Sequence, residues 1–284
     1  MSPLSMVLAV VAAVFNALSS VLQRRANRDE QGKEFNGHVL LRLLRRPAWL
    51  GGFGALIASF LLQATALRFG SLAAVEPVLA AELPLTLLLA GGVLGARLAR
   101  RDVGAAVVMA AGLAAFLLAV GPSDSPPSAR TGPQLFAAAL TVAGVIALVV
   151  AGRLGPGRAA AACYGAAAGS AFGLAAAMMK VAVNGLGSDA GLLAVLARWQ
   201  LYGMAAAGLS ALLLVQLALR TGTLVAVQPG LTLFDPLVSV VWGIGVLGES
   251  ANSGPVLLAA GFGAAAMIGS AVALSHSPAL RGPG

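Results

Sequence analysis

A chain of 284 residues that is 59% hydrophobic and 10% charged, with a mean hydropathy of +0.91, holds too little polar sequence to cover a water-facing globule of that size. The formal net charge of +8 would suit nucleic acid. The basic residues, however, stand in short loops beside apolar runs, with no aromatic-interleaved basic domain, so the expected partner is the lipid bilayer and not nucleic acid. Cys163 is the single cysteine, which excludes an internal disulfide and a Cys-based metal site.

A helix needs roughly 20 apolar residues to cross the hydrocarbon core, and such windows fill the chain almost end to end. They are continuous runs of Ala, Leu, Val and Gly, unlike the alternating segments of a transmembrane barrel, so the fold class is all-α and the protein is polytopic. The first span runs from about Pro3 to Gln23. Its positive charges follow the apolar run instead of preceding it, which reads as a retained span with its start outside. The loop after it carries Arg24, Arg25, Arg28, Lys33, Arg42, Arg45 and Arg46, and its stretch HVLLRLLRR has the pattern of a short interfacial helix. The second span begins after Pro47, with Trp49 as an interface anchor, and ends near Arg68.

The third span is the element on which the chain is built, because it occurs twice. Gly70–Gly95 reads GSLAAVEPVLAAELPLTLLLAGGVLG and Gly222–Gly248 reads GTLVAVQPGLTLFDPLVSVVWGIGVLG. A constant offset superimposes Arg68 on Arg220, Gly70 on Gly222, Val75 on Val227, Pro77 on Pro229 and Pro84 on Pro236. Both copies carry two prolines and intramembrane carboxylates: Glu76 and Glu82 in the first, Asp235 in the second. Paired Pro-interrupted hydrophobic segments in two halves point to a transporter site near the bilayer midplane. A fourth span follows from about Val103 to Val120, then the Pro/Ser-rich linker GPSDSPPSARTGP, a fifth from about Gln134 to Ala151, and a break at Gly155, Pro156 and Gly157. The sixth span, Ala159 to about Val183, places Gly165, Gly169 and Gly173 on one face and is expected to pack closely there. The seventh ends at Arg220, the eighth is the second copy, and the ninth runs from about Pro255 to Leu274.

Nine spans result. Placing the Arg24–Arg46 loop in the cytoplasm puts Arg97, Arg100, Arg101, Arg153, Arg158, Arg220 and Arg281 there too, and leaves Arg68, Arg130, Lys180 and Arg198 opposite. The expected setting is the cell (plasma) membrane, with the N-terminus outside and the C-terminus cytoplasmic. An odd five spans before the break require the second half to enter with reversed orientation, giving two inverted repeats (5 + 4), residues 1–152 and 153–284.

This arrangement, with a proline inside the third span of each unit and the terminal Leu247, Gly248 and Glu249, resembles the drug/metabolite transporter superfamily, EamA-like proteins included. The early span followed by VLQRRANR, the run WLGGFGALIASFLLQATALRFGSLAAVEPV and the lack of a tenth span are most similar to the NIPA-type magnesium transporters. The resemblance implies a secondary transporter of a small metabolite or cation working by alternating access, or a divalent-cation permease. A non-transporting membrane subunit is the alternative from outside that class. The first copy departs from the pattern with Ala96 where the second has Glu249, and the missing tenth span leaves a face for a partner chain, a homodimer included.

The candidate substrate- or ion-binding residues are Glu82, Asp235, Glu76, Gln63 and Gln216. An ionised carboxylate in the bilayer core is costly unless paired or hydrated, and proline frees a carbonyl one turn back, so each acid has unpaired backbone beside it that could help hold a cation. Gln63 and Gln216, like Asn16 and Gln23, are also accounted for by interhelical hydrogen bonds. Arg68 and Arg220, just before Gly70 and Gly222, read as helix C-terminal charges with glycine caps, and Lys180 and Arg198 as interface anchors. No HExxH, GxSxG, GxxxxGK[ST] or GxGxxG motif occurs and both histidines, His38 and His276, lie outside the spans, so neither an enzyme nor a cofactor is expected.

Overall fold

The computed structural model describes residues 2–27, 46–94, 99–120, 130–184, 196–221, 224–249 and 256–275. The interfacial stretch HVLLRLLRR up to Arg45, His38, His276, Arg97, Ala96 and most of the Pro/Ser-rich linker lie outside these. All regular structure among the described residues is α-helix: α1 (Pro3–Asn27), α2 (Pro47–Phe69), α3 (Leu72–Leu79), α4 (Glu82–Leu94), α5 (Arg100–Val120), α6 (Thr131–Leu154), α7 (Gly157–Asn184), α8 (Trp199–Thr221), α9 (Leu224–Gly245) and α10 (Val256–Ser275).

Six units are long and apolar enough to cross a membrane: α1, α2, the α3–α4 pair taken together, α6, α7 and α8. The chain is therefore a multi-span membrane protein. Helices α5, α9 and α10 contain 21, 22 and 20 residues, which at about 1.5 Å per residue reach the roughly 30 Å of the hydrocarbon core. Large apolar side chains such as Leu61, Leu140, Leu213 and Phe262 lie on the outside of the bundle, as the lipid environment permits. The inside is lined with small residues.

Helix α7 is the axis of the molecule: 89% of its apolar window is buried, against 6% for α6. It packs on α8, α9 and α6, while α1 packs on α2 and α5 on α10. The close pairs are made by residues without side chains. A Cβ on Gly169 would come within 2.5 Å of the Leu231 carbonyl oxygen, and one on Gly173 within 2.6 Å of that of Asp235; a Cβ on Gly165 would strike the Val227 carbonyl. The glycine face expected from the sequence is thus the seat of α9. Gly112 and Gly263 bring α5 and α10 together in the same way.

The first copy of the repeat is broken and the second is not. Pro84 cannot donate to the Ala80 carbonyl one turn back, and its ring crowds it. The Ala80 oxygen accepts instead from Leu83 N–H, and α3 ends at Leu79 with α4 starting at Glu82. Helix α9 continues through Pro229 and Pro236, seated on the glycine face of α7. At the matching offset α1 carries Ala13, Ala17 and Val21 in place of the three glycines.

Two sequence readings of the α2–α3 turn need correction. Gly70 has φ −138° and ψ 166°, an extended conformation, so it is not a left-handed cap; a Cβ there would run into Ser5, whose hydroxyl bonds the Ala66 carbonyl at 3.0 Å. Arg68 is exposed and stands over the Phe69 ring, 5.9 Å from its centre. The charge that meets the end of α2 is Lys180, which is no interface anchor: it is 5% exposed and donates to the Leu67 and Gly70 carbonyls.

Candidate substrate cavity

A cavity of about 900 Å³ lies inside the bundle, walled by α1, α2, α3, α4, α7, α8 and α9. Its polar lining comes from both copies of the repeat. Gln63, Glu76, Glu82 and Asp235, drawn from α2, α3, α4 and α9, all face it, together with Asn16, Ser20 and Gln23 of α1 and Thr86 of α4. Gln216 does not: it is exposed on α8. The apolar wall is Phe60 of α2, Phe172 and Met179 of α7, and Met204 and Leu212 of α8.

The three carboxylates differ in what already satisfies them. Gln63 Nε2 donates to Glu76 Oε1 at 2.9 Å. Glu82 sits at the first position of α4 and receives Asn16 Nδ2 at 2.5 Å and the Ser20 hydroxyl at 3.2 Å. Asp235 has a buried oxygen, Oδ1, with no hydrogen-bond partner among the described residues, and it lies within electrostatic reach of both Glu76 and Glu82. No Lys, Arg or His lines the cavity among the described residues. Three carboxyl groups and no described basic side chain therefore share the cavity lining.

Asn16 and Ser20 were not singled out as site residues by the sequence, although a signal was there. With Gln23 they stand at i, i+4 and i+7, a polar stripe along one face of an otherwise apolar helix. Ser20 and Gln23 carry the cavity lining along α1 to its final turns, beside Arg25.

At the other end the cavity is shut. Leu72, Val75 and Val78 of α3, Leu67 of α2, Trp242 of α9 and Leu247 are each no more than 2% exposed and pack as one core. Above them the Leu247-Gly248-Glu249 turn folds back: Gly248 adopts φ +71°, a left-handed conformation that favours glycine, and Glu249 N–H returns to the Gly243 carbonyl at 2.9 Å. The Glu249 carboxylate then accepts Leu72 N–H at 2.6 Å and Ala73 N–H at 2.9 Å.

No family model matches the chain, and no solved structure does either. An uncharacterized protein of Corynebacterium glutamicum is 28% identical over 250 residues, which cover 87% of this chain and 85% of the relative. The similarity therefore runs through nearly the whole bundle. The chain's family rests on no match of its own; what stands is a multi-span, all-α membrane protein with a polar internal cavity.

Proposed function

We propose that the protein is a secondary transporter of the drug/metabolite type that carries a small, positively charged organic solute through this cavity by alternating access. The observation that supports the reading is the cavity's make-up. A volume of about 900 Å³ falls among sites for drug-sized molecules, three carboxyl groups line it with no basic residue among the described lining residues, and one buried Asp235 oxygen has no hydrogen-bond partner among the described residues. The aromatic and methionine wall gives an organic solute an apolar bed. A magnesium permease fits less well: among the described residues no three His, Cys, Asp or Glu side chains gather closely enough to hold a metal ion. The non-transporting subunit gains nothing from an unpaired buried acid.

On this reading residues 1–152 and 153–284 are the two inverted units. The pairing of α1 with α2 and of α7 with α8 is what a duplicated unit would give, and the two copies of the repeat, α3–α4 and α9, flank the cavity. The arginine asymmetry sets the N-terminus outside and the C-terminus in the cytoplasm of the plasma membrane.

Thermal unfolding of the detergent-purified protein with organic amines, neutral metabolites and Mg²⁺ in turn tests the proposal. A ligand at about 100 times its Kd stabilises the folded state by about 2.7 kcal/mol, a readily measured rise in Tm. Organic cations should give that rise, and the responders should be taken up by proteoliposomes. A response to Mg²⁺ alone would favour the permease, and no uptake of any stabilising ligand would favour the scaffold.

A further inference from the structure

The cavity is closed at one end by two buried charges from the second half of the chain, and each meets the helix terminus of matching polarity. The α2–α3 turn, Phe69–Ser71, brings the C-terminus of one helix and the N-terminus of the next side by side, so free carbonyls and free N–H groups of both kinds are exposed there. Lys180 of α7 takes the Leu67 and Gly70 carbonyls of the α2 end. Glu249, beyond α9, takes the Leu72 and Ala73 N–H groups of the α3 start. Ser71, at the position where a serine side chain would ordinarily cap α3, makes no such bond, and its buried hydroxyl has no partner among the described residues. The cap has been handed to a carboxylate 177 positions away.

The surroundings are shaped for this contact. A Cβ on Gly243 would collide with the Glu249 carboxylate, so a bare backbone at that point of α9 is what admits it. Beneath the two charges lies the Leu67, Leu72, Val75, Trp242, Leu247 core that seals the cavity. At the other end, where the lining reaches Gln23, the first copy of the repeat has Ala96 in place of Glu249. The carboxylate of the Leu-Gly-Glu motif thus occurs in the second copy only.

The geometry points to Lys180 and Glu249 as the gate of the transport cycle at this end of the molecule, a two-charge clamp on the α2–α3 turn that keeps this end of the cavity shut until it is released. The inference rests on the transport reading, and release means breaking four charge-assisted hydrogen bonds while α3, which carries Glu76, swings from Trp242 and Leu247. Because Glu76 belongs to the same short helix as the clamped N–H groups, a solute bound at the cavity carboxylates acts on the same rigid segment. Lys180 and Glu249 position that segment and touch no solute.

The test reads closure without any solute, so its failure is separate from a failure of uptake. In a Cys163→Ser background, Ala176→Cys places a thiol on the cavity wall of α7. Its reaction with a membrane-impermeant maleimide is followed in intact cells and in inverted vesicles. With the clamp intact, labelling should come from the basic-loop side. Glu249→Gln and Lys180→Met should each raise labelling from the opposite side by about tenfold or more, as expected for loss of charge-assisted bonds, and lower it from the basic-loop side. The exchange Lys180→Glu with Glu249→Lys discriminates further: a simple ion pair would be restored, whereas helix termini of fixed polarity leave the gate open. Wild-type labelling in the single variants, closure restored by the exchange, or labelling that rises from both sides together as in a loosened fold would each overturn the proposal.

Discussion

Asp235 lines the cavity and keeps one buried oxygen without a hydrogen-bond partner among the described residues, and an acid in that position costs several kcal/mol in a membrane unless something pairs with it. Glu76 and Glu82 already have their amide and hydroxyl donors, so the solute's positive group is expected on Asp235. Asp235→Asn keeps the shape and removes the charge; folding should survive and uptake should fall by roughly 30-fold or more, as when one member of a desolvated charge pair is lost. In the double variant Glu82→Gln, Asp235→Asn uptake should vanish, with thermal stability as the control. Full uptake by the double variant would sink the site and turn attention to Glu76. The carboxylates and Gln63 were legible because acids and amides stand out in an apolar run. Gln216 was as conspicuous by type but faces outward on α8, since residue type says nothing of which side of a helix turns inward. Lys180 was misread for a related reason: proximity to a span end suits snorkelling, and only the packed α2–α3 turn reveals carbonyls waiting for it.

Among the elements, the pairing of α7 with α9 carries the most weight, because it sets where Asp235 stands. The Asp235 carbonyl lies 2.6 Å from where a Cβ on Gly173 would be, and its backbone N 3.1 Å from one on Gly169. Any side chain on this face pushes α9, and Asp235 with it, away from the cavity. Gly169→Ala should therefore destabilise by roughly 1–3 kcal/mol, the usual cost of overpacking, and Gly169→Leu should abolish expression of folded protein. Unchanged melting of Gly169→Leu would mean that the two helices are not in contact. The four-residue glycine spacing showed this face in the sequence. What it met, and that the same repeat would break in one copy and run on in the other, was not legible there: Pro84 and Pro236 are matched residues, yet the helix is interrupted just before the first and continues through the second.

For the whole molecule, the arginine asymmetry sharpens once Lys180 is recognised as a buried clamp residue, because it leaves the set of charges that anchor at an interface. Arg68, Arg130 and Arg198 then stand alone on the proposed outer side against Arg97, Arg100, Arg101, Arg153, Arg158, Arg220, Arg281 and the Arg24–Arg46 loop on the other. The positive-inside rule counts such charges in short loops near the spans, and the proposed nine spans would carry the chain from an external start to a cytoplasmic end. On the proposed reading the odd five spans of the first unit make the second run inverted, which would set α3–α4 and α9 across one cavity. Orientation and span number are tested together by impermeant thiol labelling of Ser2→Cys and Ser277→Cys in the Cys163→Ser background. Ser2→Cys should label in intact cells and Ser277→Cys only after permeabilisation. Labelling of both from one side would mean an even number of spans and would overturn the nine-span count. Labelling of Ser277→Cys alone from outside would keep the pair and reverse the molecule, placing the Lys180–Glu249 clamp at the cytoplasmic face.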